Sequence, residues 1–370
     1  MDCTNTSDGL TQGALTRKRS QHLLQGLLNR VVSIDAQCTH NHFPLYSTNT
    51  DNNWILSKGG SWTGGFWAGC WWLRSLITGA TDDEKKALTI CQHLNGKLTA
   101  DTINRSMIFW YATALGAQLA YSPYAKQLAT QAASYLVLSY NAKLGFVPAG
   151  TAMGGGRNGH SSLVIDCLSP LIQLCMYSNN HRAESIAHNH LTSAINLNLS
   201  ADGAWSSHRY YDGQQFVSAS PYGHWARGQA WGLLGLARAA FYWGDPYTGY
   251  ALKALDYWSV FMQGELAVDK LSAWNNQPYD PSAMLIVALS CAILATVSAN
   301  PRFTRCFKQY LSAVVNSEYF VERPQGDSIF YGSNANIAKD KKAMLETSWG
   351  LYLLMLCLAI ELNCISPVYS

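Results

Sequence analysis

The chain has 370 residues, of which 26 are Lys or Arg and 23 are Asp or Glu, so the formal net charge is only +3. Charged residues make up 13% of the chain and hydrophobic residues 48%, against about 25% charged residues in an average globular domain. These values exclude a disordered chain and indicate a large buried core. The basic residues are scattered rather than concentrated on one segment, which argues against a nucleic-acid partner.

Residues 1–20 are polar, and we expect them to form an N-terminal extension. No apolar segment follows their charges, and the longest apolar run, Trp349 to Ile360, has 12 residues against the ~20 that a membrane-spanning helix needs. The ten cysteines include no C-x-x-C pair and mostly lie in apolar stretches, which is typical of buried free thiols. A disulfide-rich secreted fold is normally much shorter. We therefore predict a cytoplasmic protein with no membrane segment.

Two kinds of helix alternate along the sequence. Amphipathic segments with one charged or polar face are predicted at Asp83–Leu98, Tyr124–Leu138, Arg182–Leu197, Thr248–Met262 and Arg302–Val315. Between them, segments that are apolar on nearly all sides are predicted at Phe109–Leu119, Leu163–Met176, Ala230–Phe241, Ala283–Thr296 and Leu345–Leu362. A helix that is apolar all round is buried, whereas a one-sided helix covers it. The pattern therefore indicates an inner and an outer helical layer.

The starts of the buried segments recur at a broad but regular spacing. They fall near Trp62, Ser106, Asp166, Arg227, Asp280 and Glu346, which leaves gaps of 44, 60, 61, 53 and 66 residues. Six inner helices that alternate with outer ones predict a closed ring of helical hairpins, because each hairpin buries its apolar face only against its neighbours. We predict an all-α fold, an (α/α)6 barrel, in one domain over residues 1–370. An open solenoid is the alternative, and small strand ribbons are expected at His208–Phe216 and Phe330–Ser333.

The first buried helix opens with a segment rich in tryptophan and glycine. Residues 61–72 contain four tryptophans and three glycines. Tryptophan faces stack on sugar rings, and glycines allow a ligand to approach the backbone. We expect Trp62 or Trp67 to face a cavity, although core packing would explain the same residues.

A single carboxylate opens the third buried helix. Asp166 lies in the apolar sequence Val164-Ile165-Asp166-Cys167-Leu168, where burial would raise its pKa and suit it to act as a general acid. The alternative is an N-cap that satisfies the helix's own N–H groups.

Two further segments combine hydrogen-bond donors with aromatic rings. They are 207–213, which contains His208, and 224–232, which contains Arg227, Gln229 and Trp231. These residues suit an anionic or hydroxylated ligand, and we expect Arg227 or His208 to bind a carboxylate.

The only close histidine pairs are His188 with His190 and His40 with His42, and neither has metal-site spacing. The glycines at 154–156 lack the Lys-Ser/Thr of a nucleotide loop. We predict no metal and no cofactor.

The motifs resemble the unsaturated glucuronyl hydrolases of glycoside hydrolase family 88, and next the unsaturated rhamnogalacturonyl hydrolases. The matching residues are W-T-x-G-F-W at 62–67, Ile165-Asp166, H-x-Y-Y at 208–211 and W-x-R-G-Q-A-W-G at 225–232, with weaker matches at 280–283 and 349–350. The resemblance implies an (α/α)6 barrel and a substrate whose terminal uronic acid carries a C4=C5 double bond. It implies that Asp166 is the general acid/base, and that His208, Gln229 and an N-terminal tryptophan contact the substrate.

The sequence departs from this family at the second buried helix. The family has a second active-site aspartate there, in an H-D-x-G-F segment, whereas the chain reads Ile103-Asn104-Arg105-Ser106-Met107. We expect Ser106 to stand at the aspartate's position, next to the substrate, and Asp101 or Asp280 to be the next candidate acid. The family's G-D-Y near the end reads Gly350-Leu351-Tyr352 here.

One acid is sufficient for the chemistry that the resemblance implies. The double bond is a vinyl ether, so protonation at C4, addition of water at C5 and collapse of the hemiketal break the glycosidic bond without a second carboxylate. The expected function is release of a terminal unsaturated uronic acid from an oligosaccharide. An epimerase or lyase on the same barrel, and a noncatalytic saccharide-binding protein, are the alternatives. No oligomeric state is predicted.

Overall fold

The computed structural model describes residues 15–39, 42–48, 53–271, 278–334 and 344–370. Most of the predicted polar extension, residues 1–14, lies outside this part of the chain. Its last four residues, Arg17–Ser20, form the first turn of helix α1, which is capped by the Thr16 side chain. Within the described residues, no helix is long and apolar enough to cross a membrane.

Twelve α-helices account for most of the described chain. They are α1 (Arg17–Asp35), α2 (Gly64–Thr78), α3 (Thr81–Leu94), α4 (Arg105–Gln118), α5 (Pro123–Leu138), α6 (Leu168–Tyr177), α7 (His181–Asn198), α8 (Ala226–Trp243), α9 (Tyr247–Trp258), α10 (Pro281–Val297), α11 (Pro301–Val315) and α12 (Ser348–Glu361). Six of them begin within two residues of the six predicted starts of buried segments.

The even-numbered helices form the inner layer. In the order α2, α4, α6, α8, α10 and α12, each packs against the next, and α12 packs against α2. An open solenoid would lack this last contact. Each odd-numbered helix packs against an inner one, as α11 does against α10. The reason lies in the sequence: α10 is buried on all sides from Pro281 to Leu294, whereas α11 buries one face only.

Within the described residues, eleven short strands occupy the connections; strands are present at the two expected ribbons, His208–Phe216 and Phe330–Ser333, and the others were not predicted. The strands are β1 (Phe43–Thr48), β2 (Trp54–Ser57), β3 (Ser162–Val164), β4 (His208–Tyr211), β5 (Phe216–Ser218), β6 (Met262–Gln263), β7 (Leu266–Ala267), β8 (Phe320–Glu322), β9 (Ser328–Phe330), β10 (Ser333–Asn334) and β11 (Met344–Thr347). They make four sheets, in the orders β10-β11-β1-β2, β3-β4-β5, β6-β7 and β8-β9. The other strands, of two to six residues, are too short for alternation to be recognised in the sequence.

Two predicted helix starts are strands instead. Leu163 belongs to β3, which pairs with β4 and places Val164 opposite His208. Leu345 belongs to β11, which pairs with β1 and places Thr347 opposite Tyr46. In both cases the strand has only three or four residues and is separated from the helix by at most three, so the sequence pattern does not show the boundary. These two pairings hold the entrances of α6 and α12.

Candidate active site

A cavity of about 330 Å³ lies where the starts of the inner helices meet. The residues that line it come from the entrances of α2, α4, α6, α8 and α12, from strand β1 and from the connection between α5 and β3: Leu45, Tyr46, Ser61, Trp62, Thr63, Asn104, Met107, Met153, Asp166, Trp225, Arg227, Trp231 and Trp349. Backbone N–H groups at helix starts and side chains from five helices thus converge on one space.

Asp166 is the carboxylate of this cavity. It lies in the turn between β3 and α6, two residues before the helix begins, and the Leu168 N–H bonds to the Ile165 carbonyl across this turn. The carboxylate does not cap the helix: the N-cap is Cys167, and Asp166 Oδ1 is buried with no hydrogen-bond partner among the described residues. Burial raises the pKa of Asp166 to about 6, and the nearby Arg227 charge opposes this increase.

Arg227 enters the cavity from the second residue of α8. Its Nη1 lies 2.9 Å from Oδ2 of Asp280, a carboxylate with no exposed side-chain surface. Its Nη2 donates to the Asn334 carbonyl at 2.7 Å, and its guanidinium lies 5.3 Å from the centre of the Trp225 ring. Asp280 also caps α10 through the Ala283 N–H. The cation is therefore held in a fixed position, with its remaining N–H groups available to a ligand.

Tryptophans form much of the cavity wall. The rings of Trp62 and Trp349 lie 5.2 Å apart at 38°, and Trp62 also makes an edge contact with Phe66 at 6.2 Å. Trp225 and Trp231 line the same cavity from α8. Flat apolar faces beside fixed polar groups are typical of a sugar-binding site.

Asn104 lines the cavity, and Ser106 does not. Asn104 is the N-cap of α4 and accepts a hydrogen bond from the Cys167 thiol at 3.2 Å, immediately beside Asp166. Ser106 is fully buried, and its hydroxyl donates to the Ile103 carbonyl at 2.8 Å. The residue that faces the ligand space at this helix start is thus two positions earlier than the sequence led us to expect.

Of the other predicted site residues, Trp62, Asp166, Arg227 and Trp231 line the cavity, whereas Trp67, His208 and Gln229 do not. Trp67 is 1% exposed and packs edge-on against Trp71 in the core. Gln229 is fully buried: its Oε1 accepts from the Trp205 N–H at 2.8 Å, and its Nε2 donates to the carbonyls of Gly203 and Ala254.

His208 lies on β4 and holds the strand that leads to Asp166. Its Nε2 is 3.1 Å from the Ser162 hydroxyl on β3, and burial lowers its pKa. This contact joins strand β4 to strand β3, and the residues that follow β3 form the turn that contains Asp166.

Asp101, considered as a displaced acid, lies outside the cavity. Its carboxylate is half-exposed, accepts from the Thr151 N–H and hydroxyl, and lies 3.2 Å from His160 Nε2. Those hydrogen bonds lower the pKa of Asp101, so it is an anion and not a proton donor near neutral pH. Within the described ranges, no group of three His, Cys, Asp or Glu side chains is arranged to hold a metal ion.

Tyr46, Asn104 and Met153 are lining residues that we did not single out in the sequence. Tyr46 reaches the cavity because β1 pairs with β11 beside α12, and a pairing between residues so distant in sequence leaves no local pattern. Asn104 did have a signal, because an Asn directly before a buried helix is a standard N-cap.

No family model matches the chain. Among curated proteins, it is 28% identical over 298 residues to the unsaturated chondroitin disaccharide hydrolase of Streptococcus pyogenes serotype M1, covering 74% of this chain and 72% of that protein. It is 26% identical over 220 residues to the unsaturated glucuronyl hydrolase of Bacillus sp. strain GL1, covering 55% of this chain and 57% of that protein. The chain is a divergent relative of the unsaturated glucuronyl hydrolases.

Solved structures of these hydrolases share the fold. The crystal structure of the Bacillus sp. GL1 enzyme superimposes with a TM-score of 0.80 at 19% identity, over 94% of this chain and 97% of that one. A glucuronyl hydrolase described as specific for heparin gives a TM-score of 0.80 at 18% identity, over 95% and 98% of the two chains. A variant of Streptococcus agalactiae unsaturated glucuronyl hydrolase, solved with dGlcA-GalNAc6S, gives 0.73 at 16% identity, over 98% and 94%.

Proposed function

We propose that this chain is a glycoside hydrolase that releases a terminal 4,5-unsaturated uronic acid from oligosaccharides. The proposal rests on the carboxylate of Asp166, which faces a tryptophan-walled cavity with its pKa raised to about 6, and on a fixed arginine in the same cavity. The catalytic unit is one (α/α)6 barrel over residues 1–370. Its location is cytoplasmic, and the free thiols of the nine cysteines from Cys38 to Cys364 support that location.

The two charged groups of the cavity have complementary tasks. Arg227 pairs with the uronate carboxylate, using the N–H groups that Asp280 and Asn334 leave available. Trp62, whose ring is tilted by 38° against that of Trp349, packs against the sugar ring. This arrangement presents the C4=C5 bond to Asp166.

Asp166 works in its protonated form. Its O–H adds the proton to C4 of the vinyl ether, and positive charge develops at C5 and the ring oxygen. The resulting carboxylate accepts a proton from the water that adds at C5, which restores the acid. The C5 hemiketal then opens to a ketone, and the new C1 hemiacetal expels the second sugar as an alcohol. Because one carboxylate first donates a proton and then accepts one from water, this reaction does not need the second carboxylate that other glycosidases use.

This role predicts a pH profile with a descending limb. Because only protonated Asp166 starts the reaction, we expect log kcat/KM to fall with a slope near −1 above about pH 6. Asn104→Asp would add a second negative charge to the cavity and raise the pKa of Asp166 further, so the limb should move to higher pH. The control is Asn189→Asp, the same change at an exposed position of α7 outside the cavity, which should leave the limb in place. If the limb stays at the same pH in Asn104→Asp, position 104 does not influence the pKa of the acid, and Asp166 is not the group that produces the limb.

The tryptophans provide a second, matched prediction. Trp62→Ala should weaken substrate binding by about 1 to 3 kcal/mol with little loss of stability, because its ring is partly exposed in the cavity. Trp67→Ala should instead lower the free energy of unfolding by about 3 to 5 kcal/mol, because its ring is in the core. Isothermal titration and thermal unfolding of both variants measure the two effects. If the two variants lose substrate affinity to the same extent and unfolding free energy to the same extent, Trp62 and Trp67 do not differ in role, and the assignment of Trp62 to the cavity is wrong.

The function itself is tested with a panel of unsaturated disaccharides prepared with polysaccharide lyases. The ultraviolet absorbance of the double bond conjugated to the carboxylate disappears when C5 is hydrated. We expect the absorbance to fall with at least one disaccharide, and the released second sugar to appear at the same rate. A panel that keeps its absorbance throughout would reject the proposal.

A saccharide-binding protein without turnover is the second candidate. The observation that favours it is that Asp166 is the only carboxylate among the described residues that line the cavity. It predicts that the disaccharides bind with unchanged absorbance. The epimerase alternative has less support, because no histidine is among the described residues of the cavity wall.

A further inference from the structure

Two cysteines face each other in the hairpin that α10 and α11 form. The two helices are joined by residues 298–300 and pack against each other. Cys291 lies six residues before the end of α10, and Cys306 lies five residues after the start of α11, so both are at a similar distance from the connection of the hairpin. The Cys291 S–H donates a hydrogen bond to the Cys306 sulfur. Both thiols are free, and we call them the Cys291–Cys306 pair.

The Cys306 thiol lies in a basic environment. Arg302, one helical turn earlier on α11, donates a hydrogen bond to the Cys306 sulfur, and it also forms an ion pair with Asp256 of α9. The hydrogen bond from Cys291 lowers the pKa of Cys306, burial opposes this decrease, and the Arg302 charge adds to it. In contrast, burial raises the pKa of the Cys175 thiol to about 12. Because the thiolate is the nucleophilic form, Cys306 is the more reactive of these thiols.

The two sulfurs of the pair differ in their access to solvent. Cys306 is 9% exposed, whereas Cys291 has no exposed surface. A small oxidant therefore reaches Cys306 first, and Cys291 is in position to react with the oxidised product. A nucleophilic, accessible thiol beside a second, resolving cysteine is the arrangement of thiols that respond to oxidants. Neither cysteine lines the cavity that contains Asp166, so the sugar chemistry does not use them.

We propose that the Cys291–Cys306 pair is a site of reversible oxidation, at which a hydroperoxide reacts with a Cys306 thiolate stabilised by Arg302 and a disulfide then joins α10 to α11. In the first step the Cys306 sulfur attacks one oxygen of hydrogen peroxide. The O–O bond breaks, and the products are a sulfenic acid on Cys306 and water.

The second step forms the disulfide. The Cys291 sulfur attacks the Cys306 sulfur, the S–S bond forms, and the S–OH bond breaks. The hydroxyl group leaves as water with the proton of Cys291. Over both steps the two thiols lose two electrons and two protons, and the peroxide is reduced to two molecules of water. A small dithiol reverses the oxidation by thiol–disulfide exchange.

The test treats the full, reduced chain with hydrogen peroxide and follows the cysteines by alkylation and peptide mass mapping. We expect a disulfide between Cys291 and Cys306, and we expect dithiothreitol to restore both thiols. Cys291→Ser lacks the resolving thiol, so its Cys306 should accumulate as a sulfenic acid that dimedone traps. The matched control is Cys175→Ser, at a fully buried position of α6, which should form the disulfide as the wild type does.

A second variant tests the basic environment. Arg302→Met removes the cation beside Cys306, so we expect the oxidation of Cys306 to be about tenfold slower. The matched control is Arg182→Met, at an exposed position of α7, which should leave the rate unchanged. Thermal unfolding of each variant checks that the fold is intact.

The proposal would be overturned by oxidation of the exposed Cys364 ahead of Cys306 without a disulfide in the pair. An Arg302→Met variant that is oxidised as fast as the wild type would overturn it as well. The mass mapping of wild-type protein decides the first point even if a variant fails to fold. None of these measurements involves a sugar, so their outcome is independent of the proposed hydrolase function.

Discussion

Asp166→Asn is expected to lower kcat by about 10² to 10⁴ while substrate affinity stays close to that of the wild type. Asparagine has the same shape and fits the turn before α6, but it has no proton to give to C4. The matched control is Asp101→Asn at the exposed rim, where the carboxylate binds Thr151 and does not reach the cavity. Steady-state kinetics and calorimetry measure the two quantities. Near wild-type turnover in Asp166→Asn would mean that the acid lies elsewhere.

The same substitution has a predicted effect on stability that depends on pH. Because the fold raises the pKa of Asp166 to about 6, folding favours its protonated form. This contribution to stability is complete below about pH 4 and is lost as the pH rises through 6. Asparagine cannot ionise, so Asp166→Asn should be more stable than the wild type by about 1 to 3 kcal/mol at pH 7.5 and equally stable at pH 4. Denaturant unfolding at the two pH values measures this difference.

Arg227→Met is the second substitution with a large expected effect. It removes the cation of the cavity and leaves Asp280, which has no exposed side-chain surface, without its ion pair. We expect the free energy of unfolding to fall by about 3 to 5 kcal/mol, and the affinity for the uronate to fall about tenfold to a hundredfold.

A double variant separates these two effects. Asp280→Asn in the Arg227→Met background removes the unpaired charge but retains an oxygen that caps α10 through the Ala283 N–H. Stability should therefore recover in the double variant, whereas affinity should not. Recovery of affinity together with stability would show that Arg227 acts only by holding the fold.

The ring of helices could be predicted because its signal is local to each helix. The inner helix α10 is apolar all round, and the outer helix α11 is apolar on one face, so composition alone sorts the layers. The strands before α6 and α12 could not be separated from their helices in the same way. Their pairing partners, on β4 and β1, are distant in sequence, and the strands themselves have only three and four residues.

In the candidate site, the residue types were recognised more accurately than the helix faces. Arg227 and Trp231 are four residues apart and line the cavity together, whereas Gln229, midway between them, lies on the opposite face and binds the backbone of three other residues. The same geometry separates Asn104 and Met107, which line the cavity, from Ser106, which does not. A sequence motif indicates that a helix start is functional. Which of its residues line the cavity depends on the position of each residue around the helix axis.

In the proposed mechanism, Asp166 acts on the C4=C5 double bond and not on the anomeric carbon. The decisive substrates are two disaccharides with the same linkage and the same second sugar, one with an unsaturated and one with a saturated uronic acid. Release of the second sugar is measured for both with wild-type protein and with Asp166→Asn. We expect release of the second sugar from the unsaturated disaccharide alone, and only by wild-type protein. Release from the saturated disaccharide would contradict it, because that reaction requires attack at C1.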